Sequence, residues 1–124
     1  MKREEILKNL DDLLRLEDVL ACMIARKGLE GIIPGGNKLK NIDFWVLLRK
    51  TTDPVFDIIG QFYESYKLER LYLEMNQYTV IVATINESIS LIVVIPSLAN
   101  MGLLDVEIEN TKRKIVEILK RQGE

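Results

Sequence analysis

Ile6, Leu10 and Leu13, with Leu7 and Leu14 beside them, recur at the spacing of a helix that buries one face. The pattern predicts a first helix from Lys2 to about Leu14. On its outer side Glu4 with Lys8 and Asp11 with Arg15 stand four residues apart, so these acids read as solvated. From Val19 to Ala25 the alternation vanishes: VLACMIA is apolar throughout, as expected of a buried strand. A tight turn at Lys27-Gly28 and a short second strand over Leu29 to Ile33 follow, ended by Pro34-Gly35-Gly36-Asn37.

The segment from Asn41 to Lys67 carries more apolar positions than one buried face needs. Phe44 to Leu48 are five consecutive large apolar residues. Farther on, Val55, Ile58, Ile59, Phe62 and Tyr66 form one stripe, and Phe56, Gly60 and Tyr63 mark a second. Thr51-Thr52-Asp53-Pro54 lies between, which implies either one kinked helix or two helices meeting near Asp53. A helix resting on a sheet needs an apolar arc of roughly 100°, and this segment has about twice that width. Either the surplus is covered from outside the chain, or Trp45 and Phe56 fill a thick core of their own.

Arg70 to Met75 alternates strictly, with Leu71, Leu73 and Met75 on one face and Arg70, Tyr72 and Glu74 on the other. After a turn at Asn76-Gln77, Tyr78 to Ile85 and Ser88 to Ile95 form two strands joined at Asn86-Glu87. Both are apolar on both faces, so the sheet needs cover on each side. Pro96 stops the last strand, and Asn100 caps a final helix reaching about Arg121, with Leu104, Ile108, Thr111, Ile115 and Leu119 inward. The basic triplet Lys112-Arg113-Lys114 is answered by Glu109 and Glu117 and reads as a solvated face. The expected order is α-β-β-α-β-β-β-α, an α+β fold in one domain over residues 1–124, with a five-stranded antiparallel sheet sandwiched between helices. An isologous dimer would hide both the surplus apolar surface and an open edge at Arg70 to Met75. Its expected contacts are Phe44, Trp45, Leu48, Phe56, Gly60, Tyr63, Leu71, Tyr72 and Leu73, with Gly60 letting two backbones approach.

Composition removes most chemistry. The 124 residues are 48% hydrophobic and 29% charged, as in an ordinary folded domain. A net charge of −2 gives no electrostatic reason to expect nucleic acid. There is no histidine, which removes the commonest general base and metal ligand, and the single Cys22 sits in an apolar run as a buried thiol would. No catalytic pair, metal site or cofactor site is expected. The start, MKREEIL, lacks the apolar centre of a signal peptide, and no apolar run approaches the ~18 residues of a membrane span, so the expected location is cytoplasmic. GIIPGGNK, from Gly31 to Lys38, is close to a phosphate-binding loop. Its lysine comes one place late and Leu39 stands where a hydroxyl is needed, so it reads as a connecting loop.

Three stretches together resemble the roadblock family, which includes a dynein light chain and proteins that accompany small Ras-like GTPases. VLACMIARKG resembles the family's first strand and turn, and LERLYLEMNQYTVIVATINESISLIVVI resembles its third to fifth strands. NMGLLDVEIENTKRKI resembles the opening of its last helix, with Asn100, Gly102, Leu103 and Leu104 in the Asn-x-Gly-Leu-Leu places. The resemblance implies a non-enzymatic homodimer whose third strands join into one continuous sheet beside the second helices. It also implies that the resulting platform binds a small GTPase or a larger scaffold. A small-molecule sensor of similar sandwich architecture is the alternative, though the central strands offer almost no inward polar group to orient a ligand.

Overall fold

Strands that are apolar on both faces demand two layers of cover, and the computed structural model, which describes residues 3–121, supplies them. The elements are α1 (Arg3–Leu14), β1 (Ala21–Arg26), β2 (Leu29–Ile32), α2 (Ile42–Lys50), α3 (Thr52–Tyr66), β3 (Arg70–Glu74), β4 (Tyr78–Asn86), β5 (Ile89–Pro96) and α4 (Met101–Arg121). The five strands form one antiparallel sheet in the order β2-β1-β5-β4-β3, so β2 and β3 are its edges. Lys2, where the sequence places the start of the first helix, lies outside the described residues.

Side chains alternate between two cores, as the period of two along a strand requires. Cys22, Ile24, Ile81, Ala83, Leu91 and Val93 meet Ile6 and Leu10 of α1 and Leu104, Ile108 and Ile115 of α4 on one side. Ala21, Met23, Val80, Val82, Ile92 and Val94 meet Leu48 of α2 and Phe56 and Ile59 of α3 on the other. The long stripe of α4 turns inward as its spacing requires, and Thr111 joins it because its hydroxyl donates to the Glu107 carbonyl at 2.9 Å. Asn100 caps α4, its Oδ1 accepting from the Gly102 N–H at 3.0 Å.

The middle segment is two helices, and the break falls at Thr51. The Thr51 hydroxyl and N–H both donate to the Leu48 carbonyl, at 2.8 and 3.1 Å, and the Thr52 hydroxyl donates to the Arg49 carbonyl at 3.1 Å. These bonds satisfy carbonyls that end α2. Pro54 then sits in the first turn of α3, where a missing N–H costs nothing. The β4–β5 connection lies one residue later than its sequence suggests. Asn86 stays in the ladder opposite Ile89 across a register irregularity, and its side chain accepts from Ser88 N–H at 2.8 Å.

α3 ends on Lys67 in the left-handed conformation, φ 54°, with Lys67 N–H donating to Tyr63 C=O and Leu68 N–H to Phe62 C=O. A side chain is strained there and glycine is not. Lys67→Gly is expected to raise stability by about 0.5–1 kcal/mol, read as a higher urea midpoint at unchanged slope.

Cys22 is buried, and burial pushes its thiol up to about 12, with the nearby Asp11 adding to the shift. The folded value lies above that of an unfolded thiol. Its contribution is therefore complete below about pH 8.5 and is lost as pH climbs from there toward 12. A urea midpoint that falls over this range in the native chain, and falls less steeply in Cys22→Ala, is the expected result.

Candidate interaction surface

α3 seats one side of a broad apolar arc and leaves the other in solvent. Phe56 and Ile59 are buried against the sheet, with Val55 and Tyr63 packed partly beside them. One shoulder round, Ile58 is 43% exposed, Phe62 47% and Tyr66 77%, and the rings of Phe62 and Tyr66 lie 6.2 Å apart. In α2, Leu48 points into the core and Phe44 stacks on Tyr78 at 4.7 Å, while Val46 and Leu47 are exposed. Trp45 is half-buried against the same cluster.

The nine positions expected as contacts therefore divide. Leu48 and Phe56 lie inside the protomer and hold the two helices onto the sheet. Phe44, Trp45, Tyr63 and Leu71 are half-buried, and Tyr72, Leu73 and Gly60 are exposed. Gly60 faces open space. It stands two residues from both Ile58 and Phe62, which puts it about 200° round the helix, on the opposite flank. Ile58, Phe62 and Tyr66 belong to the stripe visible in the sequence, but nothing there says which shoulder of the arc meets the sheet. Val46 and Leu47 carried no signal beyond being apolar.

β3 is one edge of the sheet, and it is held from the α4 side. The side chain of Arg70 crosses to α4, where Nη1 donates to Asp105 Oδ1 at 2.6 Å and to the Tyr72 hydroxyl at 3.1 Å. Nη2 donates to Glu109 Oε2 at 3.1 Å and to the Asp105 carbonyl at 3.3 Å. Burial works against the charge on Arg70, but the bonds to Tyr72, Glu109 and Asp105 outweigh it and hold its pKa above the usual value. The Arg70 side chain is only 15% exposed. Such a forked, charge-assisted clasp fixes the strand at its first residue.

Other features offer little chemistry. Among the described residues no group of three or more His, Cys, Asp or Glu side chains could hold a metal ion, and no helix is long and apolar enough to cross a membrane. The glycine-rich loop turns its polar groups onto its own chain: Asn37 Oδ1 accepts from Cys22 N–H, Lys38 N–H donates to Leu20 C=O, and Lys38 Nζ donates to Leu16 C=O at 2.9 Å. A cleft of about 410 Å³ between the β1–β2 hairpin and the end of α2 is lined by Met23, Leu29, Val46, Arg49 and Lys50 among others.

The sequence matches no family model and no curated protein. The shape is similar to several solved structures. MglB of Myxococcus xanthus aligns with a TM-score of 0.80 at 14% identity, over 98% of this chain and 99% of that one. The gliding protein MglB of Thermus thermophilus aligns at 0.69 and 12% identity, over 96% and 91%. A roadblock/LC7 domain from Streptomyces avermitilis aligns at 0.67 and 10% identity, over 91% and 96%. Two helical layers on a five-stranded antiparallel sheet, in this order and over nearly the full length of each, give the chain the roadblock/LC7 fold.

Proposed function

We propose that this protein is a non-enzymatic homodimeric regulator or scaffold that binds a small Ras-like GTPase or a larger assembly. The observation that carries it is that one protomer leaves both the apolar shoulder Ile58–Phe62–Tyr66 and the edge strand β3 uncovered. Monomers seldom leave such surface uncovered, and a two-fold axis crossing the sheet at the free edge of β3 would cover the strand and bring two copies of α3 together. The family that the sequence resembles accompanies small GTPases. One solved MglB of the same fold is described as having a tetrameric arrangement, which fits a surface made for self-association. Any effect on GTP hydrolysis would come from repositioning the GTPase's own switch loops.

A small-molecule sensor has less support. The cleft beside α2 is rimmed by exposed Leu29, Glu30, Arg49 and Lys50, with no buried polar group among its lining residues to orient a ligand. Light scattering at micromolar concentration should give twice the chain mass, and a purified Ras-like GTPase should bind with an affinity that differs between its GTP-analogue and GDP forms. A monomer in solution would count against the dimer, and a retained small molecule with no GTPase binding would favour the sensor.

A further inference from the structure

The ladder between β3 and β4 fixes which backbone groups the free edge presents. Thr84 N–H donates to Glu69 C=O at 2.9 Å and Met75 N–H donates to Tyr78 C=O at 2.8 Å, in register with Leu71 opposite Val82 and Leu73 opposite Val80. Antiparallel pairing alternates, so Glu69, Leu71, Leu73 and Met75 direct their N–H and C=O groups at β4. Arg70, Tyr72 and Glu74 direct theirs outward. Side chains alternate on the same period: Arg70 and Tyr72 lie on the α4 face, where they meet Asp105, and Leu71 lies on the α3 face.

Resting on the dimer proposed above, we infer that β3 pairs with β3 of a second copy in one register, with Tyr72 opposite Tyr72 on the two-fold axis. The two copies keep their helical layers on the same sides of a continuous sheet only when residues on like faces oppose, so the axis passes through a residue and not between two. Centring on Tyr72 sets Arg70 opposite Glu74 and uses all three outward residues of both strands, for about six main-chain hydrogen bonds. Centring on Leu71 or on Leu73 leaves an end residue of each strand unmatched within the strand and sets Tyr72 against Arg70 or Glu74. On the other face the Tyr72 register brings Leu71 against Leu73 in the closely spaced pairs, where side chains pack best.

The strand reads R-L-Y-L-E, which is self-complementary about its middle. Among the described residues Glu74 has no cation of its own, whereas Arg70 is already clasped by Asp105 and Glu109. Arg113 lines the same shallow cleft as Arg70 and offsets the added carboxylate. An exposed pair of this kind contributes little affinity. Its effect is to select this register over its neighbours.

Three variants, each with one introduced cysteine, read the register directly. Across a hydrogen-bonded pair the Cα atoms are about 5.5 Å apart, within reach of a disulfide, whereas diagonal neighbours stand roughly 7–8 Å apart. Tyr72→Cys is therefore expected to cross-link to its own copy under mild oxidation, at least about five-fold faster than Leu71→Cys or Leu73→Cys, as the geometry of disulfides requires. Cys22, buried within the protomer, stays silent. Exposed Glu74→Lys should weaken self-association, and more so at low salt, by placing like charges opposite. Faster cross-linking of Leu71→Cys or Leu73→Cys in a dimer would overturn the register and leave the dimer standing. A dimer in which none of the three cross-links would remove β3 from the contact. A native chain that stays monomeric would overturn both.

Discussion

Phe56→Ala is expected to lower the stability of the protomer by about 3–5 kcal/mol. Phe56 is 2% exposed and shares a cluster with Ile59, Val80, Val82 and Ile92, so truncation opens a cavity beneath α3 that a sheet cannot collapse to fill. A domain of this size holds about 5–15 kcal/mol in all, so the variant should sit near its unfolding threshold at 37 °C. Urea unfolding followed by circular dichroism over a range of protein concentrations reads the effect, because self-association adds its own stabilisation to the native chain. Phe62→Ala is the internal control. Phe62 is half-exposed, and the same truncation there should cost the isolated protomer less than about 1 kcal/mol. Equal losses at the two positions would mean that α3 does not seat on the sheet through Phe56.

The strands were legible because β1, β4 and β5 are apolar on both faces, a pattern that only a doubly covered sheet satisfies. Their ends were less so. Val19 and Leu20 belong to the apolar run but precede the ladder of β1, where Leu20 N–H makes a single bond to Val94 C=O. The break at Thr51 was legible only as a choice. A proline marks the first turn of a helix as readily as a kink, and the deciding contacts are two threonine hydroxyls on carbonyls three residues back.

The interaction surface shows the same limit more sharply. Periodicity gives the width of the arc on α3 but not its rotation on the sheet, so Phe56 looked like a contact and proved to be core. Rotation is set by which side chains fit between Val80, Val82 and Ile92, and that is tertiary packing. The Arg70 clasp was out of reach for another reason. Strict alternation put Arg70 and Tyr72 on one face of β3, yet their partner Asp105 lies 35 residues along the chain and Glu109 lies 39. Only the placement of α4 across the sheet makes those acids neighbours.

The second large effect is expected at the shoulder itself. Phe62→Asp should leave the far-ultraviolet dichroism intact, since the side chain is half in solvent, and should weaken self-association by at least about 30-fold, the scale of a lost interface hot spot. A charge there would have to be desolvated against Ile58 and Tyr66 of the same copy and the facing helix of the other. Sedimentation at a series of concentrations reads the shift directly. Gly60→Ala separates the two flanks of α3. Its new methyl meets open space in the protomer and should favour the helix by up to about 1 kcal/mol. If copies meet through Ile58 and Phe62, Gly60→Ala leaves the dimer unchanged while Phe62→Asp dissolves it. If they meet instead by close approach of backbones at Gly60, the pattern reverses, because a methyl would hold the two helices apart and a charge at Phe62 would stay in water.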